Sequence, residues 1–271
     1  MRARRCSRTL VAAAALSLLA ARPLLPQTPA VKIDGLTDDW SPLALSRDIK
    51  SGAEYAFRND GRNLYVIFIV KDPKSRESID STGLVLLAGK APARKLERGV
   101  LFLKRPVAAE TYIRWHESQG AFIAEDEKKK IKDAVLSDLC LTFAVGAGGS
   151  LRGPLRRLGQ DDEPPLFAVA DGPEGVAYEL KIPLAAPGIV PGGLGLSPGE
   201  TARISFEWGG TARKILSTPA TRQTPPSEAG GLFGVATPAQ EFLNMFDPMS
   251  RPSMGTKKFS FAVNVMLVIG R

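Results

Sequence analysis

The sequence predicts an all-β fold: an antiparallel β-sandwich of the jelly-roll type, with one short helix and long loops. Three observations support this prediction. Short runs of alternating or continuous apolar residues recur along the chain, and turn residues separate them. The 271 residues include 26 Gly and 21 Pro, which favours many short elements over long helices. Apolar residues make up 44% of the chain, which is enough for a substantial core.

Residues 1–30 are predicted to be a signal peptide of bacterial type. Arginines at positions 2, 4, 5 and 8 precede the apolar run 10–21, the order of segments that export signals share. Arg22-Pro23 ends that run short of the roughly 20 apolar residues of a membrane-spanning helix. Small residues at Ala20-Ala21 and at Ala30 are alternative cleavage positions. We expect residues 31–271 to form one exported β-sandwich domain, periplasmic or extracellular.

The charge of the chain argues against nucleic acid as a partner. The net charge is +8, but five arginines lie in the predicted leader, which has no Lys, Asp or Glu. Without the leader the surplus falls to +3, and no basic stripe is visible. Of the two cysteines, Cys6 lies in the leader, so Cys140 has no partner for an internal disulfide. We expect Cys140 to be buried as a small hydrophobe.

The first predicted elements lie between residues 31 and 72. Turns at Asp34-Gly35 and Asp38-Asp39-Trp40 precede a hairpin of two strands, 54–58 and 64–70, joined through Asp60-Gly61. The second strand is apolar on both faces, as expected of an interior strand. Pro73 ends it, because proline cannot continue the ladder of hydrogen bonds.

The rest of the chain continues mainly as strands. The pattern predicts them at 83–88, 100–104, 111–116, 139–145, 166–170, 176–183, 201–208 and 259–269. The predicted helix spans 124–139, because Ile131, Val135 and Leu139 recur at its period. Residues 146–165 are predicted to be a surface loop, and 211–253 a long loop or peripheral flap.

Three short motifs resemble family 9 carbohydrate-binding modules and the related DOMON-like sandwiches. They are Ile33-Asp34-Gly35 with Asp39-Trp40, the hairpin from Asn63-Leu64-Tyr65-Val66 to Asp72, and Tyr178-Glu179-Leu180-Lys181-Ile182-Pro183. The third is similar to the family's Glu-x-x-Ile-Pro corner. The motifs follow in the family's order across about residues 31 to 210. The resemblance implies an exported β-sandwich that binds carbohydrate or accompanies a carbohydrate-active enzyme.

A candidate ligand site lies on the predicted strand 111–116. Its outer face would present Tyr112, Arg114 and His116, whose phenol, guanidinium and imidazole can hydrogen-bond hydroxyl or carboxylate groups. Trp115 would lie on the opposite face, toward the core. Trp40 and Trp208 are also expected to be core residues.

Catalytic and metal-binding patterns are missing from the sequence. His116 is the only histidine, and no Gly-x-Ser-x-Gly elbow supplies a nucleophile for it. Haem bound by His116 with Met245, Met249 or Met254 is a weaker alternative. The adjacent acids Asp38-Asp39 and Asp161-Asp162 fit turns better than opposed glycosidase carboxylates. We expect no enzyme activity and no cofactor, apart from a structural calcium ion that Asp34, Asp60 and Asp72 would supply with oxygen ligands.

The sequence therefore leads to three functional hypotheses. The first is non-catalytic binding of carbohydrate or glycan. The second is a structural or interaction protein of the cell envelope, which would bind a protein partner through Phe242, Met245 and Phe246. The third is an accessory part of a glycoside-active enzyme system.

Overall fold

The computed structural model describes residues 31–269, apart from positions 42, 97, 119–121, 135, 147–148, 154, 156–164 and 211–255. A one-turn 3-10 helix spans Asp38–Trp40. The elements that follow are β1 (Ser46–Arg47), β2 (Glu54–Asn59), β3 (Asn63–Val70), α1 (Pro73–Thr82), β4 (Leu84–Lys90), β5 (Arg98–Val107), α2 (Ala109–Ser118), α3 (Glu125–Asp133), β6 (Ser137–Val145), β7 (Leu151–Arg152), β8 (Leu166–Gly172), β9 (Gly175–Pro183), β10 (Thr201–Gly210) and β11 (Thr256–Met266).

Two antiparallel sheets face each other, so the predicted β-sandwich is confirmed. The first sheet has the order β1-β2-β3-β9-β8, and the second has the order β11-β10-β4-β5-β6-β7. The predicted interior strand, β3, lies between β2 and β9 and is buried from Val66 onward. The hairpin at Asp60-Gly61 is also confirmed. The Asp60 carboxylate accepts hydrogen bonds from the backbone N–H groups of Arg62 and Asn63.

The main core lies between the sheets, and a second core covers the outer face of the second sheet. On β10, Ala202, Ile204, Phe206 and Trp208 all point into the main core, which confirms the predicted alternation and the structural role of Trp208. The outer core includes side chains of β4, β5 and β6, with the half-buried Tyr112 and Trp115 of α2 packed against it.

The helical content differs from the prediction. The strand predicted at 111–116 is wrong, because these residues belong to α2. The periodicity of a short apolar run does not distinguish a strand from a buried helix. Here the outer core of the second sheet needs a covering layer, and helix α2 provides it. The helix predicted at 124–139 ends at Asp133. Leu139 is instead a buried residue of β6, and Val135 lies outside the described residues.

Helix α1 was not predicted, although the sequence contains its start and stop signals. Asp72 is the N-cap, and its carboxylate accepts a hydrogen bond of 2.9 Å from the Ser75 N–H. Pro73 occupies the first turn, where its missing N–H costs nothing. Pro73 therefore both ends β3 and begins a helix, and only the first role was recognised.

The expectation that Cys140 is buried is also wrong. Cys140 is exposed. The side chains of β6 alternate between its two faces, and Leu139, Leu141 and Phe143 occupy the buried face. Several other predictions fall outside the described residues. They are the leader at 1–30 with Cys6, the docking residues Phe242, Met245 and Phe246, and the three methionines of the haem alternative.

A buried carboxylate, Glu179 of β9, connects the N-terminal segment to the outer face of the first sheet. Glu179 is fully buried. Its Oε1 accepts a hydrogen bond of 2.8 Å from the Trp40 indole, and its Oε2 accepts bonds of 3.0 Å from the backbone N–H groups of Asp34 and Gly35. Trp40 is 2% exposed, which confirms its structural role. The motif Ile33-Asp34-Gly35 with Asp39-Trp40 and the motif that contains Glu179 therefore meet at the Glu179 carboxylate.

Gly35 has to be glycine for two reasons. Its φ of +82° lies in the left-handed region, and a Cβ there would lie 2.8 Å from the backbone nitrogen of Ala170 in β8. The turn can therefore place its two N–H groups on Glu179 only because position 35 has no side chain.

Replacing Glu179 by Gln should destabilise the protein by about 2–3 kcal/mol, because hydrogen bonds to a charged acceptor are lost and the new amide N–H₂ faces backbone donors. Urea denaturation of purified protein measures this change. The matched control is Glu174→Gln, which removes an exposed carboxylate that pairs with Lys71 and should cost less than about 1 kcal/mol. Equal losses for the two variants would contradict the anchoring role of Glu179.

The pH dependence of stability should also identify Glu179. Burial raises the pKa of its carboxyl above the ordinary value of 4.5, although the N–H groups of Trp40, Gly35 and Asp34 act in the opposite direction. The folded state therefore binds this proton more tightly than the unfolded chain does. The free energy of unfolding should fall as pH rises from about 4.5 through the folded pKa. Urea titrations of wild type and Glu179→Gln across that range should show their difference shrinking, and a difference that grows with pH would contradict the raised pKa.

Candidate functional site

An open cleft of about 330 Å³ lies where α1 ends and β10 and β11 approach each other. Its described lining consists of Thr82, Gly83, Val85, Glu207, Trp208, Gly209 and Lys258. The volume is at the lower end of the range for small-molecule sites.

The cleft depends on an irregularity at the end of β10. The pairing of β10 with β11 shifts register between Trp208 and Gly210, and Gly209 and Gly210 both have positive φ, +72° and +80°. Bulges of this kind re-aim the chain at a sheet edge. The Thr82 hydroxyl at the end of α1 accepts a hydrogen bond of 2.8 Å from the Gly209 N–H and so fixes the bulge against the helix.

The charged groups of the cleft form a pair. The Lys258 ammonium lies 3.4 Å from a Glu207 carboxylate oxygen, with the Glu207 side chain 19% exposed and the Lys258 side chain 61% exposed. Together they offer a strong acceptor and a strong donor with no net charge. Such a pair suits the hydroxyl groups of a neutral ligand. The described lining contains one carboxylate, whereas glycoside hydrolysis needs two opposed ones.

The sequence-predicted site residues do not form the surface that was expected. On α2, Tyr112 and His116 are one turn apart, and their ring centroids lie 4.3 Å apart. Arg114 is exposed and lies on another side of the helix. Residues two positions apart are rotated by about 200° around the helix axis, so Arg114 points away from both Tyr112 and His116. Tyr112 packs against the outer core. The prediction that all three share one face is therefore wrong.

The three carboxylates considered for calcium are each engaged in a local turn. Asp34 accepts from the Leu36 N–H, Asp60 caps the β2–β3 turn, and Asp72 caps α1. Within the described part of the chain, no group of three or more His, Cys, Asp or Glu residues is arranged to hold a metal ion. The same part contains no helix long and apolar enough to cross a membrane.

Sequence reasoning missed the cleft, although two signals point to it. Gly209-Gly210 directly follows an alternating strand, which is typical of a bulge. Thr82-Gly83 follows the helix that begins at Pro73, and Gly83 ends it with a φ of +79°. Neither signal shows that the two segments meet, since Thr82 and Gly209 are 127 positions apart in the sequence.

No protein-family model matches the chain, and no curated protein matches it. A structural match exists to a carbohydrate binding module of family 9 from Caldicellulosiruptor kristjanssonii in complex with glucose. It is 15% identical, covers 68% of this chain and 75% of that chain, and has a TM-score of 0.30. The resemblance to DOMON-like sandwiches is not supported by this match.

Replacing Thr82 by Val should loosen the cleft and destabilise the protein by about 1–2 kcal/mol, because the part-buried Gly209 N–H loses its acceptor. Thr82→Ser is the matched control, since it keeps the hydroxyl and should retain most of the stability. Urea denaturation of both variants measures the difference. If Val is tolerated and Ser is the damaging variant, the methyl group and not the hydrogen bond holds this junction.

Proposed function

We propose that this chain is an exported, non-catalytic carbohydrate-binding protein and that its ligand occupies the cleft between α1 and the β10–β11 end. The observation that carries the proposal is the Glu207–Lys258 pair, which places a carboxylate and an ammonium 3.4 Å apart in an open cleft. The resemblance of three motifs to family 9 carbohydrate-binding modules supports the same ligand class.

The chemistry of the cleft favours a neutral sugar over a charged ligand. A sugar hydroxyl can donate to the Glu207 carboxylate while its neighbour accepts from the Lys258 ammonium. An anion would be repelled by Glu207 and a cation by Lys258, so neither gains from the pair as a whole. Charge-assisted hydrogen bonds are about twice as strong as neutral ones, which allows a few contacts to hold a small ligand.

The sequence supports the location of the protein. The arginines and the apolar run of residues 1–30 form an export signal. Periplasmic or extracellular placement would give the protein access to glycans of the cell envelope or the surroundings. If the protein is instead an interaction protein of the cell envelope, the same fold would bind a protein partner, and the cleft would hold no sugar.

A glycan array with purified residues 31–271 tests the proposed function. We expect binding to neutral glycans, and a loss of about tenfold or more in affinity for the variant Glu207→Gln with Lys258→Met, because both charge-assisted contacts are removed. The double variant Tyr112→Ala with Arg114→Ala tests the site that the sequence predicted, and we expect it to bind as wild type does.

Three results would contradict parts of this proposal. Absence of binding to every glycan would overturn the function. Binding that survives the cleft variant but is lost in the α2 variant would move the site to Tyr112 and Arg114. Strong preference for acidic glycans would contradict the neutral ligand class.

A further inference from the structure

Strand β11 forms one edge of the second sheet. It pairs with β10, and no other strand of the described part of the chain lies on its far side. With 11 residues it is the longest strand that the structure describes. At about 3.4 Å per residue, such a strand presents an edge of roughly 37 Å. A row of unpaired backbone groups of this length is a template for the addition of another strand.

Every second residue of β11 directs its backbone polar groups to this edge. The Leu267 N–H donates to the Glu200 carbonyl oxygen at 2.9 Å, and this bond continues the register of β10 with β11. Residues of an antiparallel strand bond alternately to the neighbour on one side and to the other side. The odd-numbered residues from Phe259 onward therefore bond to β10. The residues whose N–H and C=O groups point outward are Ser260, Ala262, Asn264 and Met266.

This edge lacks the features that normally prevent strand addition. Native edge strands are protected by shortness, proline, bulges or charge. From Phe259 to Met266, β11 contains no proline and no charged residue, and its register with β10 is unbroken. Of the other edge strands, β1 and β7 have two residues each. The fourth, β8, is shorter than β11, and the Gly35 turn packs against its backbone at Ala170. Among the described strands, β11 is therefore the one with a long, open edge.

The main core is incompletely covered on the same side of the sandwich. Seven half-buried apolar side chains pack against this core in the described chain, and six of them belong to β11 and β2. They are Phe259, Phe261, Val263, Val265, Tyr55 and Phe57. The two strands face each other across the sandwich, since the ring centroids of Tyr55 and Phe261 lie 5.1 Å apart. A further strand beside β11 would remove this apolar surface from water.

The sequence of β11 suits pairing with a second copy of itself. An antiparallel pair with its two-fold axis at Ala262 brings aromatic residues opposite β-branched residues on the inner face, which is a favourable cross-strand combination. The pairs across the axis are Phe261 with Val263 and Phe259 with Val265. On the outer face, Ser260 lies opposite Asn264. No like charges meet between Phe259 and Met266, because this stretch has no charged residue.

We propose that β11 pairs antiparallel with β11 of a second copy of this chain, so that the second sheets of two molecules form one continuous sheet. Because β11 is the one long, open edge among the described strands, the pairing closes at a two-fold dimer and does not continue into a filament. This inference does not rest on the proposed carbohydrate ligand. The cleft residues Glu207 and Lys258 lie outside the cross-strand pairs, so assembly and sugar binding can be tested separately.

Analytical ultracentrifugation of residues 31–271 over a range of concentrations tests the dimer. We expect the wild type to reach twice the monomer mass. Ala262→Pro should give a folded monomer, because it removes an outward N–H that β10 does not use, and proline is tolerated at such edge positions. Ala262→Thr is the matched control: it keeps the N–H and should stay dimeric.

A charge at the axis gives a second test that does not depend on proline. Ala262 is exposed, so Ala262→Lys should fold normally. It places two like charges opposite each other and should weaken the dimer about fivefold. Mixing Ala262→Lys with Ala262→Glu should restore dimer formation. Equal association of the wild type, Ala262→Pro and Ala262→Lys would overturn the inference.

Amide hydrogen exchange identifies what covers the edge. In the dimer, the outward N–H groups of Ser260 and Asn264 should be protected, and they should lose protection on dilution and in Ala262→Pro. A wild type that stays monomeric at every concentration would overturn the inference. If these N–H groups are protected in that monomer, another segment of the same chain occupies the edge. Assembly beyond two copies would also overturn it, because the proposed pairing closes at two.

Discussion

The buried carboxylate of Glu179 is the constraint that holds the N-terminal segment 34–40 in the fold. A charge in this position is tolerated only because three N–H donors surround it, and all three come from a segment about 140 residues earlier in the chain. The carboxylate therefore holds residues 34–40 on the outer face of the first sheet. Without that segment, Ile67, Ile69 and Ala177 would lose their cover.

The two faces of β9 bury polar side chains in different surroundings, Glu179 on the outer face and Tyr178 in the main core. Around Glu179 every buried polar atom of the carboxylate has a donor, and the turn that supplies two of them requires a glycine. In the main core, the phenol of Tyr178 and the indole of Trp208 have no hydrogen-bond partner among the described residues. Proteins satisfy such groups where only stability matters. The guanidinium of Arg58, which lies over the Trp40 ring, also has a buried Nη1 without a partner among the described residues, so the two faces differ only in degree.

Several elements could be predicted because their signals are local. The β2–β3 hairpin followed from Asp60-Gly61 between apolar runs, and the alternation of Ile204, Phe206 and Trp208 was visible in β10. The two failures have different causes, one in tertiary packing and one in the alternation of a strand. The run from Thr111 to His116 has the composition of a strand, and only the uncovered outer face of the second sheet made it a helix. The apolar character of Cys140 predicts that it is buried, but its neighbours Leu139 and Leu141 occupy the buried side of the strand.

The sequence by itself determined the sandwich class, the order of most strands and the core roles of Trp40 and Trp208, because period and turn chemistry act over a few residues. The cleft, the outer core and the pairing of Trp40 with Glu179 were decided by the tertiary structure alone. Each of these three features brings together side chains that lie far apart in the chain. A local sequence pattern does not indicate which distant residue a hydrogen-bond donor or a charged group will contact. The candidate site moved from Tyr112, Arg114 and His116 to Glu207 and Lys258 for this reason.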